Sequence, residues 1–135
     1  MTRAHFDALV ERAWRRIPSR FRDRVQNVAI VVEDEPSQEH LSSGRVPHTH
    51  TLLGLYQGVP LRHRSVSAAP LMPDRITLFQ GPIERCSGPS DEAIEEQAAV
   101  TLFHELGHYF GLNEREVRAM EVRLRRKPRR TRWSQ

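Results

Sequence analysis

The stretch TLFHELGHYFGLNE, residues 101–114, places two histidines four residues apart. On an α-helix, residues at that spacing project from one face about one turn apart, so His104 and His108 could bind one metal ion together. Two imidazoles at about 2.0–2.1 Å are a common part of a zinc site. Glu105 follows the first histidine directly and could reach a water molecule on that ion. The stretch therefore predicts a helix that carries a metal site.

Gly111 predicts the end of this helix and a change of chain direction. Glycine adopts a positive φ without strain, so the chain can turn sharply three residues after His108. After that turn, the carboxylate of Glu114 could swing back towards the metal. Two histidines and one carboxylate leave a fourth position for water, which is the ligand set of a catalytic rather than a closed structural zinc site.

The helix that carries the motif is expected to begin well before it. Ser90 or Asp91 can cap its first turn, and acidic side chains follow near its N-terminus, where they interact favourably with the helix dipole. Gly111 then predicts its end at about Phe110. We therefore expect one long helix over about residues 91–110.

Further helices and three strands are expected around it. Apolar spacing predicts helices over residues 3–17, capped by Thr2, and about 114–126, and strands over residues 25–33, 52–58 and 75–79. The first strand is apolar on both faces and is expected to be buried on both. Gly54 indicates a bulge or a close backbone approach in the second strand. The order of elements predicts an α+β fold, with helices packed on one small mixed sheet.

Polar and Pro-rich segments separate these elements. Residues 34–50 are expected to form a long loop, which is typical of functional or disordered segments. Gly81-Pro82 is expected to break the chain after the third strand, and residues 86–90 to form a turn.

Composition limits the class of protein. The chain has 135 residues, of which 38% are hydrophobic and 28% charged, as in an ordinary globular domain. The longest apolar run, residues 28–32, is far below the ~20 residues that span a bilayer. The charged N-terminus lacks the apolar region of a secretory signal. The single cysteine, Cys86, excludes an internal disulfide and fits a reducing compartment. We therefore expect a cytoplasmic protein that does not contact the membrane.

The extended motif HExxHxxGxxE resembles the metzincin-type form of the zincin motif, with an acid at the third ligand position. Four segments are similar to a family of short bacterial proteins described as possible zinc metallopeptidases with a minimal zincin fold. They are NVAIVVEDEP (27–36), LLGLYQGVPL (52–61), PDRITLF (73–79) and TLFHELGHYFGLNE (101–114). The resemblance extends over about residues 5–120.

The resemblance implies a small sheet, an active-site helix and a substrate cleft between them. It makes His104, His108 and Glu114 the Zn²⁺ ligands and Glu105 the general base. The implied reaction is hydrolysis of a peptide or protein substrate by a zinc-activated water, with Glu105 passing the proton to the leaving amine. True metzincins place a Met-containing turn beneath the metal. Here the methionine that follows the motif, Met120, falls in a predicted helix, which sets the chain apart from secreted metzincin proteases.

Substrate binding is predicted at residues 52–58, which resemble the strand at the rim of a zincin cleft. An edge strand has unpaired backbone groups to which an extended peptide can add as a further strand. The predicted substrate-binding residues are Leu53, Gly54, Leu55 and Tyr56. The alternative is a central strand with no free edge. The candidate donors to the oxyanion are Tyr56, Tyr109 and the loop histidines, among them His48 and His50.

The C-terminus supports a second hypothesis. Residues 123–132 carry seven cations and no acid, so the net charge of +4 comes from this segment. We predict a zincin-like domain over residues 1–122 and a basic, flexible tail over residues 123–135. The alternative function is a non-catalytic metal-binding or nucleic-acid-associated interaction protein. Nucleic acid would bind the tail weakly, without sequence preference and with a strong dependence on salt. The other interpretation is a solubilising tail, and the oligomeric state stays open.

Overall fold

The structure, a computed structural model, describes residues 1–43, 52–58 and 74–125. These residues form six helices and three strands. In chain order they are α1 (Arg3–Arg16), α2 (Ser19–Arg22), β1 (Val28–Glu33), α3 (Gln38–Ser43), β2 (Gly54–Gln57), β3 (Asp74–Phe79), α4 (Gln80–Ser87), α5 (Asp91–Phe110) and α6 (Glu114–Leu124). The predicted motif helix, both terminal helices and all three strands are confirmed.

The strands form one mixed sheet in the order β1-β3-β2. β1 runs parallel to β3, with Ile30 opposite Ile76, and β2 runs antiparallel to it, with Tyr56 opposite Ile76. The predicted α+β fold, with helices packed on one small mixed sheet, is therefore confirmed. Within the described segments β2 pairs with β3 alone, so it lies at an edge of the sheet and not at its centre.

The core lies where α1 and α5 pack together and α5 covers β2 and β3. Side chains from the helices and from one face of β3 are fully buried there: Phe6, Leu9, Ile76, Leu78, Leu102, Phe103 and Leu106. The side chain of Thr2 accepts a hydrogen bond from the His5 N–H and caps α1, as predicted. The described part of the chain contains no helix that is long and apolar enough to cross a membrane.

Four sequence predictions about local structure are wrong. β1 is only half-buried along its length, because it is the outer strand on the other side of β3. The segment expected to be a long loop contains α3. α4 follows β3 without a break, and Gly81 and Pro82 lie in its first turn. Backbone N–H groups of a first turn have no acceptor within the helix, so proline at this position removes no helical hydrogen bond. Cys86 therefore belongs to α4 rather than to a turn.

Candidate active site

The motif lies at the C-terminal end of α5, and local signals fix both ends of that helix. The Ser90 side chain accepts a hydrogen bond from the Ala93 N–H at the first turn. Gly111 ends the helix in the left-handed region, with φ 71° and ψ 32°. The residues from His104 to His108 therefore lie in regular α-helix, and the two histidines project from one face of it.

A short turn at residues 111–113 leads from α5 into α6. Asn113 caps α6 in a capping box: its side chain accepts from the Glu116 N–H, and the Glu116 carboxylate accepts from the Asn113 N–H. α6 then returns along α5 in close contact, because a Cβ at Gly107 would lie only 2.7 Å from Cγ2 of Val117. This helical hairpin brings a face of α6 to the motif.

The rings of His104 and His108 form an edge-to-face pair, with centroids 5.3 Å apart and planes at 70°. Both side chains are about half-exposed. Two imidazoles bound to one tetrahedral zinc at about 2.0–2.1 Å have ring centroids about 5 Å apart. His104 and His108 therefore fit two positions of one metal site.

Each histidine contacts a carboxylate through Nδ1. His104 Nδ1 lies 3.1 Å from Glu121 Oε1, and His108 Nδ1 lies 3.3 Å from Glu105 Oε1. The hydrogen bond to Glu105 raises the pKa of His108, and the attraction of the two charges adds to this effect, against the opposing effect of burial. Because a carboxylate only accepts hydrogen bonds, Nδ1 carries the hydrogen in both contacts. In a neutral ring Nε2 then has the lone pair that a metal requires.

Glu105 is buried between the motif helix and the edge strand, with 6% of its surface exposed. Its Oε1 atom accepts a hydrogen bond of 2.8 Å from the backbone N–H of Tyr56. β2 comes this close because Gly54 faces α5: a Cβ there would lie 2.7 Å from Cγ2 of Thr101. The close backbone approach predicted at Gly54 is confirmed.

The register of β2 decides which backbone groups face its outer edge. Phe79 N–H donates to Leu53 O at 3.0 Å, so the alternating pattern of an antiparallel pair turns the Leu55 N–H towards β3 and the Tyr56 N–H away from it. The outward N–H of Tyr56 is the one that donates to Glu105. Gly54 and Leu55 are buried. Binding of a peptide along this edge stays a prediction.

A cleft of about 310 Å³ lies between β2 and the α5–α6 hairpin. Its lining combines apolar groups with the motif: Leu53, Gly54, Val100 and Thr101, with His104 and Glu105. Glu121 and Arg125 line it from α6. Two of the predicted substrate-binding residues, Leu53 and Gly54, therefore line the same cleft as His104 and Glu105 of the motif.

Glu114 lies apart from the two histidines. It is the first residue of α6, its side chain is 92% exposed, and its carboxylate lies 3.6 Å from Arg118. Across the described residues no group of three or more His, Cys, Asp or Glu side chains is arranged to hold a metal ion. The role of Glu114 as third ligand stays a prediction. The capping box at Asn113 is the physical reason for its position, because it starts α6 immediately after the turn.

The carboxylate that sequence reasoning missed is Glu121. Neither the motif nor its extension includes position 121, and its proximity to His104 depends on the packing of α6 against α5. The sequence signal available is the Asn113 cap, which starts α6 and thereby places Glu121 within that helix.

The candidate oxyanion donors are engaged elsewhere or lie outside the described residues. The Tyr109 side chain is fully buried and its hydroxyl donates to the Gln26 carbonyl, at 3.3 Å. The Tyr56 hydroxyl donates to Asp74 Oδ2, at 2.7 Å. His48, His50 and tail residues 126–135 lie outside the described segments.

α6 continues past the predicted domain boundary at residue 122 to Leu124, which is buried.

Comparison with known proteins identifies a family and solved structures that the chain resembles. A family model described as "Zincin-like metallopeptidase" matches residues 25–124, a range that includes the sheet, α5 and α6. No curated protein matches the chain. A solved structure of a "conserved hypothetical protein" from "Thermo thermophilus" aligns with a TM-score of 0.48 and 22% sequence identity, and the alignment covers 90% of this chain and 99% of that one.

Proposed function

The chain belongs to the family of zincin-like metallopeptidases, and on that premise we propose that it is a zinc-dependent metallopeptidase that hydrolyses peptide bonds. The observation that supports this most is the pairing of two adjacent, half-exposed histidine rings with a buried carboxylate, Glu105. His104 and Glu105 line one cleft, and His108 contacts Glu105. A solvated surface helix would not require its glutamate to be buried and held by a neighbouring strand.

His104 and His108 are the proposed protein ligands, each through Nε2, because their Nδ1 atoms contact carboxylates. Glu114 is the third ligand that the motif spacing offers. Its side chain is exposed and pairs with a solvent-facing arginine, Arg118, so its movement towards a metal would break no buried contact. When bound, a zinc ion there would lower the pKa of a water molecule towards 7 and polarise the scissile carbonyl.

Glu105 is the proposed general base. Its carboxylate would accept the proton of the attacking water and then donate it to the nitrogen of the leaving amine. The hydrogen bond from the Tyr56 N–H fixes Oε1, and therefore sets the orientation of the whole carboxylate. Burial between α5 and β2 excludes bulk water from this group, which limits competing proton exchange.

The proposed substrate is a peptide or an unfolded protein segment that lies in the cleft beside β2. Leu53 and Val100 supply apolar lining, and Thr101 and Gln97 supply polar lining, with the Gln97 amide donating to the Thr101 hydroxyl at 3.1 Å. A cleft of about 310 Å³ accommodates few substrate side chains. We therefore propose modest side-chain specificity.

The experiment compares Glu105→Gln with the wild-type protein, each purified without chelator. We expect the variant to keep its zinc and to lose hydrolysis of an unfolded casein substrate by about 10²-fold or more, as for removal of a general base. Glu11→Gln, which changes an exposed ion pair with Arg15, is the matched control and should be as active as wild type. Full activity of Glu105→Gln would refute the proposed mechanism.

A further inference from the structure

The carboxylate of Glu121 lies beside the motif and is not used by the proposed reaction. We propose that Glu121 is a positioning residue that holds the imidazole of His104 in the tautomer and orientation required for metal binding. The observation is the 3.1 Å contact between Glu121 Oε1 and His104 Nδ1, made by a side chain that is 23% exposed. The inference rests on the proposed function, since it assumes that His104 is a metal ligand.

The chemistry of the contact assigns the role. A carboxylate accepts hydrogen bonds, so the hydrogen lies on Nδ1 of His104, and the neutral ring then presents the lone pair of Nε2. Carboxylates that bind the second nitrogen of a ligating histidine fix its orientation and make it a stronger ligand. His108 has a corresponding contact to Glu105, at 3.3 Å. Glu121 gives His104 a carboxylate distinct from the proposed general base.

The position of Glu121 is set by the hairpin and not by a mobile loop. Three residues on the packed face of α6 are buried: Val117, Met120 and Leu124. Val117 meets α5 at Gly107, which lies one turn from His104, and Glu121 lies one turn further along α6 from Val117. These contacts fix the register of the two helices, so the pairing of Glu121 with His104 follows from the packing of the fold.

Direct coordination by Glu121 is the competing role, and the geometry argues against it. Its carboxylate contacts Nδ1 of His104, whereas the metal is proposed to bind at Nε2, on the other side of the ring. A positioning residue and a ligand also differ in how they respond to substitution. Glutamine keeps an oxygen that can accept the Nδ1 hydrogen but lacks the negative charge, and alanine removes both.

The first test measures the affinity for Zn²⁺ by competition with a chelator in wild type, Glu121→Gln and Glu121→Ala, with Glu11→Gln as control. We expect Glu121→Ala to bind Zn²⁺ about 10–100-fold more weakly, and Glu121→Gln to lie between it and wild type. The visible absorption of the Co²⁺-substituted protein should be the same in wild type and Glu121→Gln, because the ligands are unchanged. Equal affinities in all four proteins, or a changed Co²⁺ spectrum in Glu121→Gln, would overturn the proposal.

The second test needs no metal and separates this inference from the proposed function. Nitrogen NMR of the chelator-treated protein at about pH 9, where imidazole is neutral, reports which ring nitrogen of His104 carries the hydrogen. We expect Nδ1–H in wild type and a shift towards Nε2–H in Glu121→Ala, with unchanged urea unfolding. An unchanged tautomer overturns the inference even if zinc binds. A wild-type protein that binds no zinc, yet shows the tautomer shift, overturns the proposed function alone.

Discussion

The backbone N–H of Tyr56 donates to Oε1 of Glu105 at 2.8 Å, and this bond joins the edge strand of the sheet to the motif helix. The N–H involved is one that the antiparallel register turns away from β3. A peptide that added to β2 at this point would compete with Glu105 for the same donor. The edge strand therefore holds the carboxylate of Glu105, the proposed general base, by a direct hydrogen bond. This role is separate from any part that the strand has in binding substrate.

The metal content of the protein should depend on the two histidines together. We expect wild-type protein purified without chelator to contain zinc, and the His104→Ala/His108→Ala double variant to contain almost none, because two proposed ligands are lost. Elemental analysis of both proteins measures this. His5→Ala, which removes an exposed histidine that pairs with Asp91, is the control for loss of histidine as such. Equal zinc in wild type and the double variant would rule out this site.

The ion pair between His108 and Glu105 should make the stability of metal-stripped protein depend on pH. The pKa of His108 is raised in the folded state, first by its hydrogen bond to Glu105, whereas an unfolded histidine titrates near about 6.5. The stabilisation is therefore fully present below about pH 6.5 and is lost as the pH rises through the raised pKa.

Urea unfolding of metal-stripped wild type and His108→Gln over a series of pH values measures this effect. The free energy of unfolding of wild type should exceed that of the variant at low pH, and the difference should shrink as the pH increases. A difference that grew with pH would contradict the assigned direction of the shift.

Local signals in the sequence predicted the motif helix and its ends, because Ser90 and Gly111 determine a cap and a stop within a few residues. The site was harder to predict, since it depends on contacts between elements. The pairing of His104 with Glu121 requires the close approach of α6 at Gly107, which no short motif encodes. The position of Glu114 could have been inferred, because Asn113 and the glutamate three residues later form a capping box that starts α6 at once.

Removal of the basic tail should separate the two functional hypotheses. Because α6 extends to Leu124, whose side chain is buried, we choose a deletion of residues 126–135 that leaves this helix intact. We expect the shortened protein to keep its zinc and its hydrolytic activity. Any retention of the full chain on a DNA column should be lost on deletion, and should weaken steeply with salt in the full chain. Loss of hydrolysis on deletion, with folding unchanged, would make the tail part of the enzyme.

A methyl group at position 54 should disturb the proposed general base from the neighbouring strand. In Gly54→Ala the new Cβ would lie 2.7 Å from Cγ2 of Thr101 and 3.2 Å from the carbonyl oxygen of Thr77, so β2 must move away from α5. We expect a loss of about 1–3 kcal/mol in the free energy of unfolding, as for overpacking. Hydrolysis should fall as well, because the Tyr56 N–H moves with the strand away from Glu105.

The double variant Gly54→Ala/Thr101→Ser tests the cause of that loss. Serine removes the Cγ2 atom that the new methyl group would meet, and keeps the hydroxyl that accepts from the Gln97 amide. Because the contact with the Thr77 carbonyl remains, we expect partial recovery of both stability and hydrolysis relative to Gly54→Ala. Urea unfolding and casein hydrolysis of the four proteins of this cycle, including Thr101→Ser alone, give the coupling energy directly. Additive effects of the two substitutions would show that the contact with Cγ2 of Thr101 does not cause the loss in Gly54→Ala.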